Sequence, residues 1–238
     1  MVINWIILCL LVVLPIFVAV KGKRKKSQQP ASRFRFYLKD IIASVILLAI
    51  LFVLKPSVYY PLDFAAIGRG ITIDDEIFSV ILPIFFVPFV LSFTPWNNNY
   101  PKDVTTAREL FGYPIYYLPN TTREYLLFIC YIITGVFFEE LICRQFMFYS
   151  LNATLRLGGD ILVVVTALLF AVGHLYQGWK GALSNFFLGL IFGKIFIMKG
   201  TLAYPIVLHL FLNLTIVVLA FRRLKDLRKV NMTMQTSS

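Results

Sequence analysis

Charged residues are scarce in this chain of 238 residues, at 15% of the composition, whereas apolar residues make up 59%. A soluble domain carries about 25% charged residues, because its surface has to face water. The composition therefore excludes both a water-soluble globular protein and a disordered chain. It indicates an integral membrane protein, in which each spanning helix needs about 20 mainly apolar residues.

Cysteine and histidine are also rare. The three Cys residues are odd in number and lie in apolar runs, so no disulfide framework is indicated. The two His residues, His174 and His209, both lie within apolar runs as well. Ionisable side chains are costly inside a membrane and usually mark a functional site there. The position of both histidines therefore makes them candidate site residues.

Acidic residues are few, with 12 Asp and Glu against 23 Lys and Arg and a net charge of +11. In a soluble protein such an excess would suggest nucleic acid as a partner. In a membrane protein it orients the helices, since cytoplasmic loops carry most of the Lys and Arg. With the N-terminus outside, the predicted cytoplasmic segments hold 17 of these residues and the opposite segments hold 4. We therefore expect a cytoplasmic C-terminus, contact with membrane lipids and no nucleic-acid partner.

The apolar runs predict an all-α, polytopic bundle of transmembrane helices, with about seven spans in a range of six to eight. The second run is short, and we expect its helix to begin near Phe36. Lys194 lies near the end of the sixth run, and we expect its ammonium group to reach the headgroups. The chain divides into N-terminal helices and loops (1–124), a core (125–221) and a basic cytoplasmic tail (222–238). The seven runs are Val2–Val20, Asp40–Leu54, Ile77–Phe93, Tyr125–Tyr149, Ile161–Tyr176, Ala182–Met198 and Leu202–Phe221.

The fourth run carries more charge than lipid tolerates. Glu139, Glu140 and Arg144 would together cost about 8–10 kcal/mol at a helix centre if unpaired, and the apolar residues of the run return only about 4–8 kcal/mol. This helix must therefore face protein or a water-filled cavity. Glu140 and Arg144 have the i,i+4 spacing of a helical ion pair, whereas Glu139 lies about 100° away around the helix. We expect Glu140 and Arg144 to form a structural ion pair and Glu139 to keep a free carboxylate.

Two other helices carry polar pairs on one face. Phe170 and His174 are four residues apart, and so are His209 and Asn213. At 1.5 Å per residue, these polar groups and Glu139 lie about 11–20 Å from the outer ends of their spans. The sequence therefore predicts that one carboxylate, two imidazoles and one carboxamide meet near the membrane midplane.

Three motifs occur in this order on successive apolar helices. Glu139 to Arg144 fits EExxxR, Phe170 to His174 fits FxxxH, and His209 to Asn213 fits HxxxN. Together they resemble the motifs of the CPBP family, the CAAX-protease and bacteriocin-processing proteins also called Abi. The resemblance covers Tyr125 to Phe221, and the first three runs match only in being apolar.

The resemblance implies an intramembrane endopeptidase in a multi-pass protein of the bacterial cell membrane. Its substrate would be a protein or peptide, either a CAAX-type prenylated protein or a bacteriocin or leader-like peptide. The resemblance further implies that Glu139 and His174 activate water, and that His209 and Asn213 stabilise the oxyanion. Two alternatives are a non-catalytic membrane scaffold that regulates a partner protein and an ion- or proton-coupled transporter. The transporter has less support, because neither internal symmetry nor paired discontinuous segments occur.

No cofactor is favoured, and zinc stays an alternative. One carboxylate and two imidazoles can bind a catalytic zinc ion with water in the fourth position. The ligands would be Glu139, His174 and His209. No HExxH motif occurs, and both a glutamate-type and a metallo-type mechanism are associated with the family.

Overall fold

The computed structural model describes residue 9 and residues 32–54, 109–110, 113–114, 118–177 and 179–236. In these residues the structure is helical, as predicted, apart from short turns and one antiparallel pair of two-residue strands. The strands are β1 (Glu109–Leu110) and β2 (Tyr113–Pro114), with Glu109 opposite Pro114 and Leu110 opposite Tyr113.

Six α-helices, one π-helical segment and one 3₁₀ turn form the described part of the bundle. Three of the helical stretches are long and apolar enough to span a membrane: Arg33–Leu54, Thr122–Leu155 and Gly181–Lys199. Gly159–Gly173 and Ala203–Val218 are shorter apolar stretches. The elements are α1 (Arg33–Leu54), α2 (Thr122–Glu140), the π segment (Leu141–Phe146), α3 (Met147–Leu155), α4 (Gly159–Gly173), the 3₁₀ turn (Leu175–Gln177), α5 (Trp179–Lys199) and α6 (Ala203–Thr236).

The protein is therefore an integral membrane protein. Apart from Cys9, two of the predicted spans, Val2–Val20 and Ile77–Phe93, lie outside the described residues, so the count of seven spans and the orientation of the termini stay predictions. The second span begins at Arg33, about one turn before the expected start at Phe36. The last helix has 34 residues and runs through position 222 without a break. At 1.5 Å per residue it is about 51 Å long, which exceeds the roughly 30 Å hydrocarbon core of a bilayer.

A capping box fixes the start of α2. Thr121 Oγ1 accepts a hydrogen bond from the backbone N–H of Glu124 at 3.3 Å. In return, Glu124 Oε2 accepts from the N–H groups of Asn120 at 2.8 Å and Thr121 at 3.3 Å. These bonds satisfy donors that the first turn of a helix leaves free. They define the beginning of the helix whose other end carries the two adjacent glutamates.

Aromatic side chains join α1 and α6 to α2. The fully buried Tyr37 on α1 lies with its ring centroid 5.1 Å from that of Phe128 and 5.6 Å from that of Tyr131, both on α2. From α6, the Phe221 ring lies 6.3 Å from Phe128. Aromatic rings bury a large apolar area, so this cluster is a main contact between the three helices. It docks α6 on α2 and so brings His209 towards the end of α2.

Glycines let α4 and α5 approach closely. A Cβ atom at Gly189 would lie 2.9 Å from the Cα atom of Ala167, and one at Gly193 would lie 3.0 Å from Cγ1 of Val163. Small residues at such a crossing allow helix backbones in membranes to pack against each other. The close packing fixes the position of α4, which ends next to His174.

We expect the substitution Gly189→Ala to lower the free energy of unfolding by about 1–3 kcal/mol, because the added methyl group meets the backbone of α4. Thermal unfolding in detergent micelles measures the change. The matched control is Gly135→Ala on α2, where an added Cβ has nothing within 4 Å. This control should match or slightly exceed the wild type, since Ala is the better helix former. Equal stability of both variants would contradict the close contact.

Lys194 does not reach the headgroups as expected from its place near a helix end. It is 4% exposed, and its Nζ lies 3.1 Å from Oδ1 and 3.4 Å from Oδ2 of Asp160. Asp160 lies in the first turn of α4, where a negative charge is favourable for the helix dipole. The expectation was wrong because the acidic partner comes from another helix, 34 residues away in sequence.

Candidate active site

The two adjacent glutamates lie where α2 passes into the π segment. Glu139 and Glu140 are the last residues of α2, and the π segment starts at Leu141. All five residues from Ile142 to Phe146 are buried, so the helix is enclosed on every side here. Single π-helical turns are rare and occur frequently at functional sites. The apolar periodicity of the sequence carries no signal for this change of helix type.

Glu140 is fully buried and has two partners. Its Oε1 accepts a hydrogen bond from Nη1 of Arg144 at 3.2 Å, and Nδ1 of His209 lies 2.7 Å from the same oxygen. Nε of Arg144 lies 3.2 Å from Oε2, although Oε2 and Nη2 of Arg144 make no hydrogen bond to a described residue. The spacing of the motif indicates the contact with Arg144. It does not indicate the contact with His209, which joins α2 to α6.

Two aromatic rings surround the guanidinium group of Arg144. Its Cζ lies 4.8 Å from the ring centroid of Phe170 and 5.3 Å from that of Phe192. A cation over an aromatic face is stabilised by the ring quadrupole, more strongly where water is excluded. Phe192 also lies 5.2 Å from the ring of His209. Sequence reasoning missed Phe192, because nothing separates it from the other 22 of the 23 Phe residues in the chain.

His174 caps the end of α4. Its backbone N–H donates to the carbonyl of Ala171 at 3.0 Å, and its imidazole Nδ1 lies 2.8 Å from the carbonyl oxygen of Phe170. A carbonyl only accepts, so this bond places the hydrogen on Nδ1 and leaves Nε2 with a lone pair in the neutral ring. Within the predicted span Ile161–Tyr176, the α-helix ends at Gly173. The hydrogen bond to the carbonyl of Phe170 at this helix end orients the imidazole of His174.

The carboxylate of Glu139 lies between the two imidazoles. Its Oε2 is 3.9 Å from Nε2 of His174 and 3.7 Å from Nε2 of His209. These distances are too long for direct hydrogen bonds, but one water molecule can bond to a carboxylate and an imidazole at such a separation. The side chain of Glu139 is 35% exposed, whereas those of His174 and His209 are 11% and 8% exposed. The cluster is thus accessible on the side of Glu139.

Asn213 lies one helical turn beyond His209 on α6 and is partly buried. Its carboxamide makes no hydrogen bond to any residue within the described ranges. Of the four side chains predicted to carry the chemistry, the structure therefore places His174 and His209 each within 4 Å of the Glu139 carboxylate. Asn213 shares the helix face of His209, and no hydrogen bond between described residues joins it to these three.

The side chains of the cluster are of the types that bind zinc, but they are not arranged as a zinc site. One carboxylate and two imidazole nitrogens with free lone pairs are donors that a catalytic zinc ion accepts. Across the parts of the chain that the structure describes, however, no group of three His, Cys, Asp or Glu side chains is placed to hold a metal ion.

The helices and this cluster define a class: a helical integral membrane protein with a largely buried acid and imidazole cluster at the junction of α2, α4 and α6. Residues 121–215 match the family model described as type II CAAX prenyl endopeptidase Rce1-like. The matched residues include all three motifs, so this match confirms the resemblance that the motifs indicate. No curated protein and no solved structure matches the chain.

Proposed function

We propose that this protein is an intramembrane endopeptidase that hydrolyses a peptide bond near the membrane with a water molecule activated by Glu139 and His174. The observation that carries the proposal is the position of the Glu139 carboxylate, 3.9 Å and 3.7 Å from the Nε2 atoms of two imidazoles. The match to a protease family supports the reaction class.

In the first step, a water molecule donates hydrogen bonds to Oε2 of Glu139 and Nε2 of His174. The carboxylate oxygen of Glu139 is an acceptor. Nε2 of His174 is also an acceptor, because the hydrogen of the neutral ring lies on Nδ1, which donates to the carbonyl of Phe170. As the water oxygen attacks the carbonyl carbon of the substrate, one of these groups takes its proton. The product of this step is a tetrahedral intermediate with a negatively charged oxygen.

In the second step, His209 and Asn213 donate hydrogen bonds to that oxyanion. Both lie on one face of α6, and His209 points its Nε2 towards Glu139. Donors that stabilise charge only in the transition state lower the barrier to reaction. The proton taken from water then passes to the leaving nitrogen, the C–N bond breaks, and the products are a carboxylic acid and an amine, which ionise to a carboxylate and an ammonium group.

The substrate class that we propose is a protein or peptide, with a CAAX-type prenylated protein as the first candidate because of the family match. A bacteriocin or leader-like peptide is the second candidate. Location in a bacterial cell membrane stays a prediction from the resemblance. We also propose that no metal takes part, and that zinc held by Glu139, His174 and His209 is the alternative to be tested.

A comparison of membrane proteomes tests the function in cells that express the wild type or the variant Glu139→Ala. We expect at least one new peptide terminus in the wild-type sample that is absent with Glu139→Ala at equal expression. If Glu139→Ala supports full cellular function, the scaffold hypothesis replaces the protease hypothesis. If the wild type instead carries ions across the membrane of sealed vesicles without cleaving peptides, the transporter hypothesis replaces the protease hypothesis. Chelation that abolishes cleavage, with recovery on adding zinc, would show a metallo-type enzyme.

A further inference from the structure

We infer that Glu140, whose sequence spacing indicates only a structural partner for Arg144, is the positioning residue of His209. This inference rests on the proposed function, since it concerns how one of the reacting imidazoles is held. The carboxylate of Glu140 joins two groups at once, the guanidinium of Arg144 on the next turn and the ring of His209 on α6.

The contact between Glu140 and His209 fixes which ring nitrogen carries the hydrogen. Oε1 of Glu140 accepts from Nη1 of Arg144, a side chain that only donates. The same oxygen lies 2.7 Å from Nδ1 of His209, which is the length of a charge-assisted hydrogen bond. An ionised carboxylate only accepts, so Nδ1 is the donor. Nε2 is then the ring atom that is left to face Glu139.

The two imidazoles have different hydrogen-bond partners at Nδ1. Nδ1 of His174 donates to the neutral carbonyl of Phe170, and its ring is suited to accept a proton at Nε2. The ring of His209 lies instead between two carboxylates, with Glu140 at Nδ1 and Glu139 at 3.7 Å from Nε2. With a hydrogen on Nδ1, the neutral ring of His209 has a lone pair on Nε2, and the donor role proposed for Nε2 needs a hydrogen on both ring nitrogens. Glu140 accepts the hydrogen bond from Nδ1 and so holds the ring with Nε2 towards Glu139.

The small number of histidines allows a direct test of this inference. In a protein labelled with ¹⁵N in histidine, the only labelled rings are those of His174 and His209. The spectrum of the variant His174→Gln lacks the signals of His174 and so identifies those of His209. In lipid bilayers we expect Nδ1 of His209 to carry a hydrogen in the wild type and in the control variant Glu139→Gln. In Glu140→Gln that signal should decrease, because the amide group of Gln can donate to Nδ1 and stabilise the other tautomer. A wild-type ring with a bare Nδ1 would overturn the inference.

Enzyme kinetics distinguishes between two roles of Glu140, the positioning of His209 and the support of the fold through Arg144. We expect Glu140→Gln to lower kcat by at least about 10- to 100-fold with little change in KM, because the orientation of His209 matters in the transition state more than in substrate binding. Glu140→Gln also leaves the buried charge of Arg144 without its carboxylate, which could reduce activity through the fold alone. The double variant Glu140→Gln/Arg144→Met removes both charges, so it should fold while kcat stays low.

Recovery of wild-type kcat in the double variant would overturn the inference, because Glu140 would then serve Arg144 alone. The nitrogen signals do not depend on any cleavage assay. If the wild type cleaved no peptide, the proposed function would fail, and the protonation of Nδ1 in the wild type and in Glu140→Gln would still decide the role of Glu140.

Discussion

Replacing Glu139 by Gln is expected to reduce peptide hydrolysis by about 10²- to 10⁴-fold while the protein stays folded, because general-base catalysis typically contributes that much to a rate. The amide group of Gln has nearly the shape of the carboxylate but takes no proton from water. The side chain of Glu139 is 35% exposed and has no direct hydrogen bond to either imidazole, so its charge contributes little to stability. We expect the free energy of unfolding to change by about 0.5 kcal/mol or less. The rate is measured with purified protein in lipid bilayers and the stability by thermal unfolding.

The matched control is Glu124→Gln, which makes the same chemical change at the other end of α2. Glu124 accepts hydrogen bonds from two backbone N–H groups in the capping box, and an amide oxygen can still accept them. We expect a cleavage rate within about twofold of the wild type and a loss of stability below about 1 kcal/mol. If Glu139→Gln retained the rate of this control, Glu139 would not be the residue that activates water.

Local spacing along one helix was sufficient to separate the two glutamates. The i,i+4 relation places Glu140 next to Arg144, and the rotation of about 100° per residue turns Glu139 away from that pair. In the structure, Glu140 is fully buried against Arg144 and Glu139 is the partly exposed member. The penalty for charge in lipid likewise indicated that this helix must face protein. These predictions needed only helix geometry and the cost of burying a charge.

Contacts between helices could not be predicted in the same way. The bond from Glu140 to His209 and the ion pair of Lys194 with Asp160 both depend on how two helices cross, which the apolar pattern of either helix leaves open. Lys194 was expected to extend to the headgroups because only its own helix was considered. The change to π-helical geometry after Glu140 has no counterpart in the pattern of apolar residues. Each of these features is a property of tertiary packing.

The ion pair between α4 and α5 gives a second prediction with a large effect, this time on stability. The side chains of Lys194 and Asp160 are 5% and 14% exposed, with 3.1 Å between Nζ and Oδ1. We expect Lys194→Met to lower the free energy of unfolding by about 3–5 kcal/mol, because a largely buried carboxylate loses a cationic partner at hydrogen-bond distance. Reversible unfolding in detergent, monitored by circular dichroism, measures this change.

The double variant Asp160→Leu/Lys194→Met tests whether the charges or the packing cause the loss. Replacing both members of a buried pair by apolar residues of similar size is often neutral or stabilising, since neither charge has to leave water. We therefore expect the double variant to recover most of the stability that Lys194→Met loses. The ion pair then holds α4 in one position against α5 and contributes little net stability, and α4 is the helix that ends at His174. If the double variant unfolded as readily as Lys194→Met, the loss would come from the packing of the lysine methylene groups.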